Sequence, residues 1–336
     1  MRISIKAFLC AICIVCGFTA ANQKTTTIFM IGDSTMANKD ISHDKKERGW
    51  GMALQCFFDD NIRIENHAVN GRSSLSFINE GRWDTVLNRI CPGDYVIIQF
   101  GHNDEKPKAD RHTDPGSTFD YNLAKFVRET RERGGIPVLM NAVVRRNFAK
   151  VMPKNDDDEA LRSTTFKDAN GLVEGDSLVD THGLYIVAPH DVAKRMNVHF
   201  VDANRITHTL EQSLGREESK KLHMWFLPGE EPSVPKGRQD NTHYNVYGAH
   251  VVAHLLADAL CEEIPILKKY RVDADITVDK KGRGDFMQLA PAVEQALANT
   301  KNKETTIQIL GGTWEQPKLP KKHHIKFILR EGATWK

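Results

Sequence analysis

Apolar segments alternate with amphipathic segments along most of the chain. Five segments rich in β-branched and aromatic residues predict strands, at residues 25–31, 62–69, 94–100, 136–144 and 197–203. Four segments with apolar residues at helical spacing predict helices, at residues 49–59, 119–135, 189–197 and 244–264. Strands that alternate with helices predict a parallel sheet covered on both faces, which is an α/β fold.

Short polar stretches stand where the predicted strands end. "GDS" follows the first strand, "NGRSS" the second and "GHND" the third, and "DNTH" precedes the last predicted helix. Parallel sheets carry their functional groups on loops at the carboxyl ends of the strands. We therefore expect these four stretches to share one rim of the sheet. The polar segments 145–188 and 221–240 predict long loops on the same rim.

The N-terminus has the layout of a secretory signal peptide. Two basic residues are followed by an apolar run over residues 7–18 and then by small residues. We predict cleavage after Ala21, so that the mature chain begins at Asn22 and is secreted or periplasmic. Two alternatives are a retained anchor and a lipoprotein modified at Cys16.

Composition excludes several classes of partner. The chain has 336 residues, of which 40% are hydrophobic and 27% charged, and its formal net charge is +2. This balance gives no reason to expect a nucleic-acid partner or an anionic membrane. The predicted mature chain has no CxxC motif and no combined cysteine and histidine spacing typical of a zinc site, and we expect no cofactor, no metal and no membrane insertion after signal cleavage. We expect a monomer. The mature cysteines, Cys56, Cys91 and Cys261, allow at most one internal disulfide.

The four polar stretches contain the parts that serine-dependent ester hydrolysis needs. Ser34 is the candidate nucleophile, His243 the general base and Asp240 the carboxylate that orients it. The backbone N–H groups of Gly71 and Ser34 and the side-chain amide of Asn103 are candidate oxyanion donors. Each stretch taken alone has a plainer interpretation as a helix cap or a turn. The ordered set favours the catalytic interpretation.

The same four stretches resemble the conserved blocks of the SGNH, or GDSL-type, hydrolases. The longer segments "IFMIGDSTMA", "NHAVNGRSS", "IIQFGHND" and "DNTHYNVYGA" are similar to those of rhamnogalacturonan acetylesterases. The resemblance covers roughly residues 25–265. It implies a three-layer α/β/α, flavodoxin-like fold with a five-stranded parallel sheet. It also implies deacetylation of pectic rhamnogalacturonan by Ser34, His243 and Asp240. Position 36 is Met, so the G-x-S-x-G elbow of α/β-hydrolases is absent.

Weaker candidates lie on the same predicted rim. Trp50 is a candidate for stacking on a sugar or for packing at a helix start. Arg72, Arg145 and Arg146 are candidates for contacting uronic-acid carboxylates. His250 and His254 have a spacing that can bind zinc, but no third ligand is evident, and we interpret them as structural.

The pattern changes after about residue 272. Residues 305–314 and 323–332 predict two strands, and residues 275–336 resemble the opening of a pectin methylesterase, with about one coil of a parallel β-helix. We predict a signal peptide at 1–21, an SGNH domain at 22–268 and a partial pectinesterase-like segment at 269–336 that lacks the catalytic residues of that family. One solenoid coil cannot bury its own face. We therefore expect either a longer native polypeptide or a β-rich appendage packed on the esterase.

The leading hypothesis is a secreted esterase that removes acetyl groups from pectic rhamnogalacturonan through an acyl-enzyme. A second hypothesis keeps the same residues but changes the substrate to acetylxylan, another acylated sugar or a lipid ester. A third is a non-catalytic glycan-binding module with a degenerate site, although no element of the triad is missing.

Overall fold

A five-stranded parallel sheet forms the centre of the computed structural model, which describes residues 25–148, 175–299 and 304–336. Its strands are β1 (Thr26–Gly32), β3 (Ile62–Asn66), β4 (Tyr95–Gln99), β5 (Ile136–Met140) and β6 (His199–Val201). The order across the sheet is β3-β1-β4-β5-β6, and every pair is parallel. The five strands predicted from the sequence are confirmed, although β3, β4, β5 and β6 are shorter than the apolar segments that contain them.

The strand sequences explain why the sheet lies in the middle of the molecule. In β1, Ile28 and Met30 face one apolar cluster, and Phe29 and Ile31 face another. All four side chains are almost completely buried. A strand that is apolar on both faces is stable only when helices cover both faces.

Helices cover the sheet on both sides. On the face of Ile28 lie α1 (Trp50–Ala53), α6 (Ala203–Glu218) and α7 (Val246–Glu263). On the face of Phe29 lie α2 (Ser74–Asn79), α3 (Arg82–Leu87), α4 (Thr118–Glu132) and α5 (Val187–Met196). The expected three-layer arrangement is thus present. Within the predicted helix 49–59, only one α-helical turn forms before a 3₁₀ turn at Leu54–Phe57.

A short antiparallel pair lies beside the sheet. It joins β2 (Glu47–Arg48) to β7 (Tyr244–Asn245), with Glu47 opposite Asn245. The last long helix therefore begins at Val246, two residues after the start predicted from the sequence. Asn245 caps this helix by accepting a 3.0 Å hydrogen bond from the Gly248 N–H.

The C-terminal residues form a second set of parallel strands. They comprise β8 (Ile276–Val278), α8 (Leu289–Ala298), β9 (Thr305–Ile309), β10 (Gly312–Trp314), β11 (Ile325–Leu329) and β12 (Ala333–Trp335). One sheet has the order β11-β9-β8, and β10 pairs with β12. A separate apolar cluster, which includes Ile307, Ile309 and Val293, lies between α8 and these strands.

This C-terminal unit is fastened to the rest of the chain by buried polar contacts. The Arg330 guanidinium donates to the Phe58 carbonyl, and it also contacts Asp60 and Gln308. The Gln308 amide in turn donates to the Cys56 carbonyl over 3.0 Å. Each contact gives a hydrogen-bond partner to a polar atom that is buried at the junction.

Several predicted features fall outside the described residues or have a limited structural counterpart. The predicted signal segment 1–21 lies outside them, as do residues 149–174 of the predicted loop at 145–188. Among the described helices, none is both long enough and apolar enough to cross a membrane.

Candidate active site

Ser34 stands in the turn that directly follows β1. The Asp33 carboxylate organises this turn, because its Oδ1 accepts hydrogen bonds from the N–H and the hydroxyl of Thr35 over 2.9 and 2.8 Å. No helix begins at Ser34, so its side chain has no capping role there. Gly32 allows β1 and β4 to approach closely, since a Cβ at this position would lie 2.7 Å from the Gln99 carbonyl oxygen.

The structure brings His243 to Ser34 across 209 residues of sequence. The His243 Nε2 and the Ser34 Oγ are 2.8 Å apart. On the other side of the ring, Nδ1 lies 3.1 Å from Asp240 Oδ1. A carboxylate oxygen can only accept here, so Nδ1 carries the proton and Nε2 is left to accept from the serine hydroxyl.

The Asp240 carboxylate shapes the loop on which Asp240 lies. Asp240 Oδ1 also accepts hydrogen bonds from the N–H groups of Thr242 and His243, both over 2.9 Å. Asp240 is completely buried and His243 nearly so. The spacing of three residues between the carboxylate and the imidazole is therefore fixed by a tight turn that the carboxylate itself closes.

Gly71 and Asn103 lie on the loops after β3 and β4, the two strands that flank β1. The Val69 N–H donates to the Gly32 carbonyl over 3.0 Å, which ties the first of these loops to the end of β1. Gly71 has φ = 74°, a conformation that favours glycine. The Asn103 side-chain amide donates to the Arg72 carbonyl over 3.1 Å, so the two loops are in contact.

Asp104 fixes the loop on which Asn103 lies. Its Oδ1 accepts from the Ser74 N–H, the Ser74 hydroxyl and the Thr113 hydroxyl, and its Oδ2 accepts from the Gly101 N–H over 3.1 Å. Burial raises the pKa of Asp104 to about 7, while these hydrogen bonds oppose the shift. The last residue of "GHND" is thus a structural anchor between α2 and the rim.

Comparisons with known proteins give the family of the chain. Residues 30–251, more than half of the chain, match the GDSL-like Lipase/Acylhydrolase family. The chain belongs to this family. It is 37% identical over 240 residues to the rhamnogalacturonan acetylesterase RhgT of Bacillus subtilis, covering 71% of this chain and 91% of that protein. It is 27% identical over 242 residues to a rhamnogalacturonan acetylesterase of Emericella nidulans, covering 70% and 84%.

A solved structure shows the same fold. The crystal structure of YxiM from Bacillus subtilis superposes with a TM-score of 0.53 at 23% identity, covering 71% of this chain. The chain spans 56% of the length of that structure. Family membership and the acetylesterase relatives make this chain a carboxylic ester hydrolase with the SGNH/GDSL α/β fold.

Next to the GDSL site lies a buried cluster that sequence reasoning missed. The rings of His102 and His182 meet edge to face with centroids 4.4 Å apart. The guanidinium of Arg145 and the carboxylate of Glu105 form an ion pair beside them, and His182 Nδ1 lies 3.0 Å from Glu105 Oε2. Burial, reinforced by the charges of His182 and Arg145, holds the pKa of His102 well below its ordinary value. His102 therefore stays neutral at the edge of the site.

The arginines considered for uronate binding already have protein partners. Arg145 is buried against Glu105, as described above. Arg146 is buried too and donates to Ser219 Oγ and to Asn241 Oδ1, each over 3.0 Å. It thereby supports the loop that contains Asp240. Arg72 is half-buried and pairs with Glu80 over 3.0 Å. Arg145 and Arg146 are almost completely buried and have protein partners, so the structure gives no support for their contact with substrate carboxylates.

The remaining candidates have structural roles. Trp50 is fully buried and its indole N–H donates to Gln99 Oε1 over 3.0 Å, so it packs at a helix start. His250 lies against the C-terminal unit, with Nε2 2.8 Å from the Arg283 carbonyl. The ring of His254 stacks on Phe57. Cys56, Cys91 and Cys261 are all free thiols. Among the described residues, no three potential metal ligands converge.

Proposed function

We propose that this esterase removes acetyl groups from pectic rhamnogalacturonan, with Ser34, His243 and Asp240 as its catalytic triad. The observation that carries the proposal is the unbroken hydrogen-bonded line from Ser34 Oγ to His243 and from His243 to Asp240, at 2.8 and 3.1 Å. Such a line lets a neutral imidazole take the serine proton while the carboxylate stabilises the imidazolium that forms.

The proposed reaction has two stages. Ser34 Oγ attacks the acetyl carbonyl carbon while its proton moves to His243 Nε2. The tetrahedral oxyanion is stabilised by the N–H groups of Ser34 and Gly71 and by the Asn103 amide. The sugar oxygen then leaves with the proton from His243, and an acetyl-Ser34 ester remains. Water, deprotonated by His243, then attacks the carbonyl carbon of this ester. The bond to Ser34 Oγ breaks, His243 returns the proton to Ser34 Oγ, and acetate is released.

The substrate assignment is supported by the names of the relatives. Two of them, from Bacillus subtilis and Emericella nidulans, are called rhamnogalacturonan acetylesterases. The test is the rate of acetate release from acetylated rhamnogalacturonan compared with acetylated xylan at equal acetyl content. We expect the pectic substrate to be preferred. Equal or faster release from xylan would instead support the acetylxylan alternative, and a preference for lipid esters would support a lipase.

The role proposed for His243 has a pH consequence. The imidazole must be neutral to accept the Ser34 proton, so kcat/KM should fall on the acid side of the profile. A rate that stays constant well below the ordinary histidine pKa would contradict this role. A glycan-binding module without activity, the third hypothesis, predicts binding with no acetate release at any pH.

We also propose that the chain is secreted after cleavage behind Ala21. The support is the basic, apolar and small-residue order of residues 1–21. N-terminal sequencing of the exported protein should begin at Asn22. A blocked N-terminus at Cys16 would indicate a lipoprotein, and an intact Met1 would indicate a retained anchor.

For residues 269–336 we propose the start of a parallel β-helix. The support is that β9 and β10 are repeated by β11 and β12, with parallel pairing in both positions. The family match ends at residue 251, so the resemblance to a pectin methylesterase rests on the sequence pattern alone. An experimental structure with antiparallel pairing of β9 and β11 would contradict the proposal.

A further inference from the structure

Besides the His243 imidazole, the Asp240 carboxylate has a further side-chain partner in Arg238. Its Oδ2 accepts a hydrogen bond from Arg238 Nη2, while Oδ1 serves the imidazole. The other guanidinium nitrogen, Arg238 Nη1, lies 2.8 Å from Glu47 Oε2. Glu47 is on β2, which pairs with β7 immediately after His243. The two-stranded pair therefore brings a second carboxylate close behind the one that orients the base.

The line of charges continues to the Asn70–Gly71 turn. Glu47 Oε1 lies 2.8 Å from Lys39 Nζ, and Lys39 Nζ donates to Asn70 Oδ1 over 2.7 Å. Only 4% of the Lys39 side chain and 21% of the Glu47 side chain are exposed. Charges buried to this extent are screened much less by solvent than surface pairs. One line of alternating charges thus joins Asp240 to the loop that carries Gly71.

We propose that Glu47 and Arg238 are positioning residues, which hold Asp240 in place and set the charge that His243 experiences during the reaction. The proposal rests on the proposed role of His243 as the general base. It names two residues that no sequence motif marked, because their contact depends on the pairing of β2 with β7.

The two residues keep opposite charges across the working pH range. Burial alone would raise the pKa of Glu47, but the charges of His243, Lys39 and Arg238 outweigh it and lower the pKa to about 2. The pKa of Arg238 is raised, because Asp240 and Glu47 outweigh its burial. Glu47 therefore favours the protonated imidazole and Arg238 disfavours it.

Other charged or titratable groups lie near His243 or next to the groups that contact it. They come from several elements of the rim and comprise Asp240, His102, Lys39, Asp33, Glu105, Arg145 and His182. Replacing Glu47 or Arg238 removes none of these groups from the sequence. A change in the pH profile of a single variant is thus assigned to the charge that was removed.

The experiment is the pH profile of kcat/KM for p-nitrophenyl acetate in the full chain. Glu47→Gln should move the acid-side midpoint down, and Arg238→Gln should move it up, each by about one pH unit. We expect the plateau to fall about tenfold in both, because Asp240 loses part of its support. Glu47→Asp and Arg238→Lys keep the charges and should keep the parent midpoint.

Glu129→Gln is the matched control. Glu129 has the same side-chain exposure as Glu47, 21%, and pairs with Lys125 on α4, away from the triad. Its profile should equal that of the parent. Lys39→Met removes a more distant cation and should move the midpoint up by less than Arg238→Gln. If Arg238→Gln does not fold, Lys39→Met shows in which direction the loss of a cation moves the acid-side midpoint.

The outcomes separate this proposal from the proposed function. Midpoints that do not move, or that move in the same direction for Glu47→Gln and Arg238→Gln, would overturn the positioning role. The triad would still stand if Ser34→Ala is inactive under the same conditions. An active Ser34→Ala would instead overturn the proposed function, whatever the other variants show.

Discussion

The rim of the central sheet and the C-terminal unit both bury polar side chains, but they use them differently. At the rim, Ser34, His243 and Asp240 come from two segments far apart in sequence and form one line whose serine end is only half-buried. In the C-terminal unit, the Arg330 guanidinium contacts Asp60, Gln308 and a backbone carbonyl. Its hydrogen-bond donors are therefore used within the protein.

This difference distinguishes a reactive site from the junction between the C-terminal unit and the rest of the chain, which we call the seam. Polar groups that satisfy one another inside a junction add specificity and stability but leave nothing to react. Polar groups that are held by partners and still present one atom toward solvent are prepared for chemistry. Substitutions at the rim should therefore change the rate of a folded enzyme, and substitutions at the seam should change its stability.

The largest expected effect is that of Ser34→Ala. Without the hydroxyl there is no acyl-enzyme, and we expect kcat to fall by at least about 10³-fold. Acetate release measures the rate, and a thermal melt checks the fold. Ser117→Ala, on an exposed loop, is the control and should match the parent. Comparable rates for Ser34→Ala and the parent would place the chemistry elsewhere.

Asn103→Ala should have the next largest effect. It removes one oxyanion donor, and such a loss lowers kcat by about 10²–10³-fold. The effect should fall on kcat, with KM little changed, because the charge on oxygen develops only in the transition state. If KM rises instead and kcat is kept, Asn103 binds the ground state and is not an oxyanion donor.

Arg330→Ala tests the seam. It leaves the Phe58 carbonyl and Gln308 without their donor, and we expect the free energy of unfolding to fall by about 3 kcal/mol. The kcat/KM of the folded fraction should equal that of the parent. Arg205→Ala removes a side chain that is 73% exposed, and it should change stability by less than about 0.5 kcal/mol. A loss of activity without loss of stability would link the C-terminal unit to the site.

The smallest effect concerns thiol reactivity. Cys91 is exposed, whereas Cys56 and Cys261 are buried, and burial raises the pKa of both buried thiols. Iodoacetamide should therefore modify Cys91 first in the native protein, without loss of esterase activity. Peptide mapping by mass spectrometry gives the order of the three sites. Early modification of Cys56, whose Sγ contacts the Arg283 carbonyl, would show that the seam opens.

Strand prediction succeeded because β1, β4 and β5 are apolar on both faces, whereas β3 alternates apolar and polar residues. The helices α2, α3 and α6 were not predicted. The first two have only six residues each, and α6 has polar residues over most of its surface. Short helices depend on packing and capping more than on periodicity, as the Ser73–Ser76 capping box of α2 shows.

The buried charges at the site were beyond sequence reasoning. Arg145 and Arg146 are unremarkable in a loop sequence, and only the fold shows that Glu105 and Asn241 are their partners. Glu47 and Arg238 are separated by 191 positions, and only the pairing of β2 with β7 brings them together. An isolated sequence carries no periodic signal for such a contact.

The sequence by itself determined the alternation of strands and helices, the four polar stretches and their chemical types. These properties are local, because burial and backbone preference are encoded within a few residues of each position. Only the tertiary structure decided that Ser34, in the turn that Asp33 closes locally, meets His243. That outcome depends on the strand order β3-β1-β4, which places the loops of Gly71 and Asn103 on either side of Ser34.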